Sequence, residues 1–62
     1  MYKYVVKIKM TAGNFDHRTF QIEFISKDDD SALAILKEYV NRKQDEGWRL
    51  KESELVEKIT IH

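Results

Sequence analysis

Tyr2-Lys3-Tyr4-Val5-Val6-Lys7-Ile8-Lys9-Met10 is the stretch on which the fold turns. Tyr2, Tyr4, Val6, Ile8 and Met10 share one phase of a two-residue period, and Lys3, Val5, Lys7 and Lys9 share the other. Successive side chains of a strand point to opposite faces, so this is a strand with one face buried. Downstream, Thr11-Ala12-Gly13-Asn14-Phe15-Asp16 carries Gly, Asn and Asp, which tolerate left-handed backbone or bond their own main chain, and the chain reverses there. Alternation resumes from about His17 to Ser26, with Phe20, Ile22 and Phe24 in one phase and Thr19, Gln21, Glu23 and Ile25 in the other. The two strands are expected to form an antiparallel hairpin.

After the hairpin the period changes. Ser26-Lys27-Asp28-Asp29-Asp30-Ser31 supplies short polar side chains that cap the free N–H groups of a helix and carboxylates that suit its positive end, so a helix is predicted to begin near Asp29. Leu33, Leu36 and Val40, flanked by Ile35 and Tyr39, form its apolar stripe, and Gly47 stops it. A last segment from Trp48 to Ile61 reads as a strand whose register slips. Trp48 and Leu50 hold one phase and Leu55, Ile59 and Ile61 the other, which calls for a bulge, bend or turn between Lys51 and Glu54. A helix crossing back over the hairpin returns the chain beside strand one. The expectation is therefore an α+β fold of β-β-α-β order, a single domain over residues 1–62, with an antiparallel sheet in the order 2-1-3 and one helix on one face.

Composition narrows the functions. The chain has 62 residues, no cysteine and no proline, and 11 basic residues balance 11 acidic ones. A domain this small buries only about 60% of the surface its unfolded chain exposes. Without disulfides or thiolate metal ligands, oligomerisation is the remaining source of stability. No apolar run is long enough for a membrane span and no signal pattern opens the chain, so the expected setting is cytoplasmic. No glycine-rich phosphate loop, nucleophile elbow or helical His/Glu pair is present, and no cofactor or enzymatic role is expected. Asn14 and Asp16 answer to turn chemistry, His17 opens a strand and His62 ends the chain, so these four are not read as a metal site. Asp28, Asp29 and Asp30 lack the spacing of a calcium loop and are read as helix-capping residues.

Two surfaces stand out. The outer sheet face is expected to gather Lys3, Lys7, Lys9, Arg49 and Lys51, with Lys58 after the slip, against Glu23. Such a face suits an acidic protein partner or phosphates. The aromatic residues Tyr4, Phe20, Phe24 and Trp48 take the inward phase, which disfavours base stacking and places nucleic acid second to protein. The other surface is the C-terminal strand. Leu55, Val56, Ile59 and Ile61 overhang the small sheet with little to cover them, and they are the expected self-association residues of a homodimer.

The run Tyr39-Val40-Asn41 through Glu46-Gly47-Trp48-Arg49-Leu50 resembles a family of short bacterial and phage proteins of unknown function, in which a helix end is followed by Gly-Trp-x-Leu. The resemblance covers about a dozen residues. It implies that Gly47 is a helix stop and Trp48 a core residue, and it points to a bacterial or phage accessory protein. The function expected from the whole sequence is a small non-enzymatic interaction module, a homodimeric regulator or inhibitor of a protein partner. The alternative is a nucleic-acid-binding protein using the basic sheet face.

Overall fold

Four elements follow in the order β1 (Tyr2–Ala12), β2 (Asp16–Ser26), α1 (Asp29–Asp45) and β3 (Arg49–Thr60). The structure is a computed structural model describing Met1–His62. The sheet has the order β2-β1-β3 and both pairings are antiparallel, as the alternation and the single crossover require. The hairpin is in unbroken register from Tyr2 opposite Ser26 to Ala12 opposite Asp16. Gly13 makes its reversal at φ 63°, a backbone angle an L side chain resists.

α1 starts where capping chemistry places it. Asp28 is extended and its carboxylate accepts from the Ser31 main-chain N–H at 2.8 Å, while Asp29 and Asp30 sit in the positively polarised first turn. At the other end the Trp48 N–H returns to the Lys43 carbonyl at 2.9 Å, with Gly47 at φ 99°, so the glycine stop and the fold-back of Trp48 form one cap. Trp48 is half-buried and meets Phe20 edge-on at 5.4 Å.

The core is thin and centred on β1. Only seven of 62 residues are buried; six are apolar, and five of those, Tyr4, Val5, Val6, Ile8 and Met10, lie on β1. Against the inward side of β1 pack Phe20, Ile22 and Phe24 of β2, together with Ala32, Leu36, Tyr39 and Val40 of α1 and Trp48. β3 is different: every one of its residues is exposed. A strand tied to the sheet by its main chain but left uncovered by side chains is the feature that shapes the site.

The register of β3 slips twice, where the sequence reading foresaw one slip. Between Lys9 and Met10 the partner jumps from Glu52 to Leu50, leaving Lys51 as an extra residue, and between Val5 and Val6 it jumps from Glu57 to Leu55, leaving Val56 extra. Each bulge moves the following side chains to the opposite face. The first turns Ser53 and Leu55 toward the helix side, as the phase change demanded. The second reverses this, sending Lys58 and Thr60 to the helix side and Ile59 to the outer one. Lys58 therefore leaves the outer face, and Ile59 does not share a face with Leu55. The expected common phase of Leu55 and Ile59 failed because a second one-residue slip cancels the first.

Candidate functional site

On the helix side, α1 and β3 do not close on each other. Two neighbouring depressions of ≈ 280 Å³ and ≈ 270 Å³ share Leu33, Leu36 and Ser53 and run as one groove between the elements. Leu55 lines one end with Tyr4, Val6 and Phe24, and Leu50 lines the other with Val40. Of the four leucines on its walls Leu36 packs on the core, and the other three are about half in solvent: Leu33 is 51% exposed, Leu50 44% and Leu55 55%. Val56 and Ile59 are further exposed apolar residues of β3, at 47% and 41%, but Ile59 lies on the outer face, and Ile61, at 37%, follows the strand. Scattered apolar residues on a surface are ordinary, whereas these leucines lie together along one concave seam.

The Tyr4 end of this groove is polar and hydrogen-bonded. Asp29, in the first turn of α1, accepts the Tyr4 hydroxyl at 2.7 Å and the Lys58 ammonium at 2.8 Å on the same Oδ1. Lys58 also lies 4.4 Å from the Tyr2 ring centroid, a cation–π contact. The second bulge makes this latch, because it is what turns Lys58 inward to meet the helix. Lys58 and Tyr4 hold the Asp29 carboxyl below its ordinary 3.8, and Asp29 in return raises Lys58 above 10.5. Tyr4 is raised above 10.0, first by burial of its ring and then by its bond to Asp29. Asp28 is likewise lowered, first by the Ser31 N–H.

These directions fix the pH dependence of stability. A carboxyl lowered in the folded state stabilises above its unfolded pKa, and that contribution is lost as pH falls from 3.8 through the folded value. A raised lysine or tyrosine stabilises below its unfolded pKa, and the loss comes as pH rises through the folded value, above 10.0 for Tyr4 and 10.5 for Lys58. Thermal melts should therefore give a melting temperature that is level near neutrality and falls on both sides. Asp29→Asn should remove the Lys58 part of the alkaline limb, leaving the part that comes from burial of Tyr4, and should flatten part of the acid limb, Asp28 supplying the rest. An unchanged alkaline limb in that variant would mean that the latch does not hold α1 to β3.

The outer face carries the cations named from the sequence, but with more acidic company than Glu23. Across the sheet, Lys9 faces Glu52, Lys7 faces Glu54 and Val5 faces Glu57. Lys3 bridges Glu23 at 3.4 Å and Lys9 bridges Glu52 at 3.6 Å. Lys3, Lys7, Lys9 and Arg49 do share this side, and Lys51 sits at the first bulge beside them. They are nevertheless interleaved with carboxylates, so no continuous basic platform forms. Val5, apolar on this face as expected, is only 5% exposed in the middle of the sheet, whereas Ile25 and Ile59 flank Lys3 in solvent at 55% and 41%.

Comparisons with family models, curated proteins and solved structures find no match. Asn14 lies in the hairpin turn, Asp16 and His17 pair with Ala12 and Thr11, and His62 follows β3. No helix is long and apolar enough to cross a membrane. Two features were missed from the sequence. Leu33 and Leu36 looked like ordinary core positions of the helix stripe, and only the lie of α1 over the sheet leaves them lining a groove. Phe15, 90% exposed at the hairpin tip, carried a readable signal: an aromatic residue between Asn14 and Asp16, outside both strand phases.

Proposed function

We propose that the chain is a small non-enzymatic interaction module, an accessory protein of bacterial or phage type that acts as a homodimer and regulates or inhibits a protein partner. The observation that carries the reading is the open apolar groove between α1 and β3. Its occupant is a second copy of the same chain. A monomer with seven buried residues and no disulfide has little stability in reserve, so the surface that completes it must always be available, and a copy of itself is. The balanced charge, with a pI near 6.7, puts no electrostatic barrier between copies. A standard interface takes about 800 Å² from each partner, which is roughly a sixth of the 4716 Å² surface of this chain. The groove supplies the apolar centre of such a contact, and the surface around its rim the rest.

The contact is face to face rather than edge to edge. The free edge of β3 bears two bulges and the charged side chains of Lys51, Glu52, Glu54 and Glu57, features that keep an edge from templating another strand. Joining two copies through the grooves leaves both outer faces free, and their mixed rows of lysine and glutamate suit a protein surface with complementary charge. The nucleic-acid reading is weaker, because the glutamates of β3 would face the phosphates and the aromatic residues Tyr4, Phe20, Phe24 and Trp48 belong to the core cluster.

The chain has no cysteine, so a single introduced thiol is a clean probe. Leu33→Cys and Leu55→Cys, each oxidised mildly at low protein concentration, should give covalent dimers, while Gln21→Cys on the outer face should stay monomeric on a denaturing gel. The reverse pattern would move the interface to the outer face.

A further inference from the structure

We infer that the hairpin end of the outer sheet face binds a compact anion, a phosphate or diphosphate group. A depression of ≈ 140 Å³ opens there, lined by Lys9, Met10, His17, Arg18, Thr19 and Lys51. At ~30 Å³ per water it has room for about four waters, enough for one phosphate group. Two cross-strand rows build it: His17, Thr11 and Arg49 in one, Thr19, Lys9 and Glu52 in the next. Lys51 is the extra residue of the bulge between those rows, and the bulge is what brings a second ammonium beside Lys9. Arg18 does not add its charge, since its guanidinium lies 5.4 Å from the Trp48 ring on the opposite face; Met10, 1% exposed, likewise offers only main chain.

The donors that remain are the ammonium groups of Lys9 and Lys51, the Thr19 hydroxyl and the His17 ring, with Arg49 at the rim. All donate hydrogen bonds, as a phosphate oxygen requires. Glu52 is the competing acceptor. It holds Lys9 at 3.6 Å, with both side chains more than half in solvent, and an ion pair so exposed gives way readily to a multiply charged ligand. The same register limits the ligand's size. Along β3 the next outer residues are Glu54 and Glu57, and on β2 Gln21 and then Glu23 follow, so a polyanion continuing down the sheet would run into carboxylates. A compact anion avoids them. The site lies on the face opposite the groove and does not depend on the dimer.

The test is an amide chemical-shift titration of the ¹⁵N-labelled chain with inorganic phosphate, pyrophosphate and a nucleoside diphosphate, each against sodium chloride at matched ionic strength. Saturable shifts confined to residues 9–11, 17–19 and 49–52 are expected. They should be weakened about tenfold by Lys51→Gln and roughly a hundredfold by Lys9→Gln with Lys51→Gln, both exposed changes that leave the spectrum otherwise intact. Lys37→Gln on the helix should change nothing. A nucleoside diphosphate that binds more tightly than pyrophosphate marks an organic phosphate as the ligand, and equal affinity marks the phosphate group alone. The inference is overturned if chloride produces the same shifts, if the double variant titrates like the parent, or if an oligothymidylate binds more tightly per phosphate than pyrophosphate, with shifts reaching Lys3 and Lys7.

Discussion

Ile8→Ala should lower the melting temperature by at least about 15 °C. Ile8 is wholly inaccessible at the centre of β1, between Phe20 on β2 and Ser53 on β3. Cutting a buried isoleucine to alanine costs about 2–5 kcal/mol, and the high end applies where neighbours cannot collapse into the space. Here they are held by two hydrogen-bonded strands. A chain of 62 residues has a total stability of about 3–9 kcal/mol, so the loss is of the same order as the whole. Thermal unfolding followed by circular dichroism measures it. A variant within a few degrees of the parent would mean that β1 does not carry the core.

Leu33→Asp combined with Leu55→Asp should abolish self-association while leaving the monomer folded. In the isolated chain both side chains are about half in solvent, at 51% and 55%, so aspartate costs the monomer little. In a groove-to-groove dimer each change occurs twice, giving four lost leucine contacts and four carboxylates facing apolar surface. Burial of a leucine is worth about 1.5–3 kcal/mol, so the dissociation constant should rise by well over 100-fold. Unchanged association in this variant would remove the groove from the interface. Loss of the fold in dilute monomer would instead make the two leucines part of the core.

The elements were legible in the sequence because each rests on a local rule. The period-2 phase of Tyr2 to Met10 gave the central strand, Gly13 and Asn14 the turn, Asp28 the helix start and Gly47 its end, and the order 2-1-3 followed from the single crossover. The bulge at Lys51 was visible as a change of apolar phase between Leu50 and Leu55. The bulge at Val56 was not, because the side chains on either side of it conceal the change: Val56 and Ile59 are apolar where the outer face is otherwise polar, and Lys58 is charged where the inner face is otherwise apolar. Lys58 turns inward because Asp29 and two tyrosine rings receive it, a tertiary fact with no local signature. The groove was hidden for a similar reason. Periodicity says that Leu33, Leu36, Leu50 and Leu55 face inward, but not how far apart the helix and the edge strand stand. The acidic residues of β3 could be placed on the outer face only once both slips were known, and with them the expected basic platform became a mixed surface.

The proposed homodimer is tested most directly by the mass of the purified protein, measured by light scattering over a concentration series. A mass near twice the 7.4 kDa chain, falling toward one chain only on strong dilution, is the predicted result. A mass of one chain at every concentration, with β3 as exposed as it is here, would contradict the account.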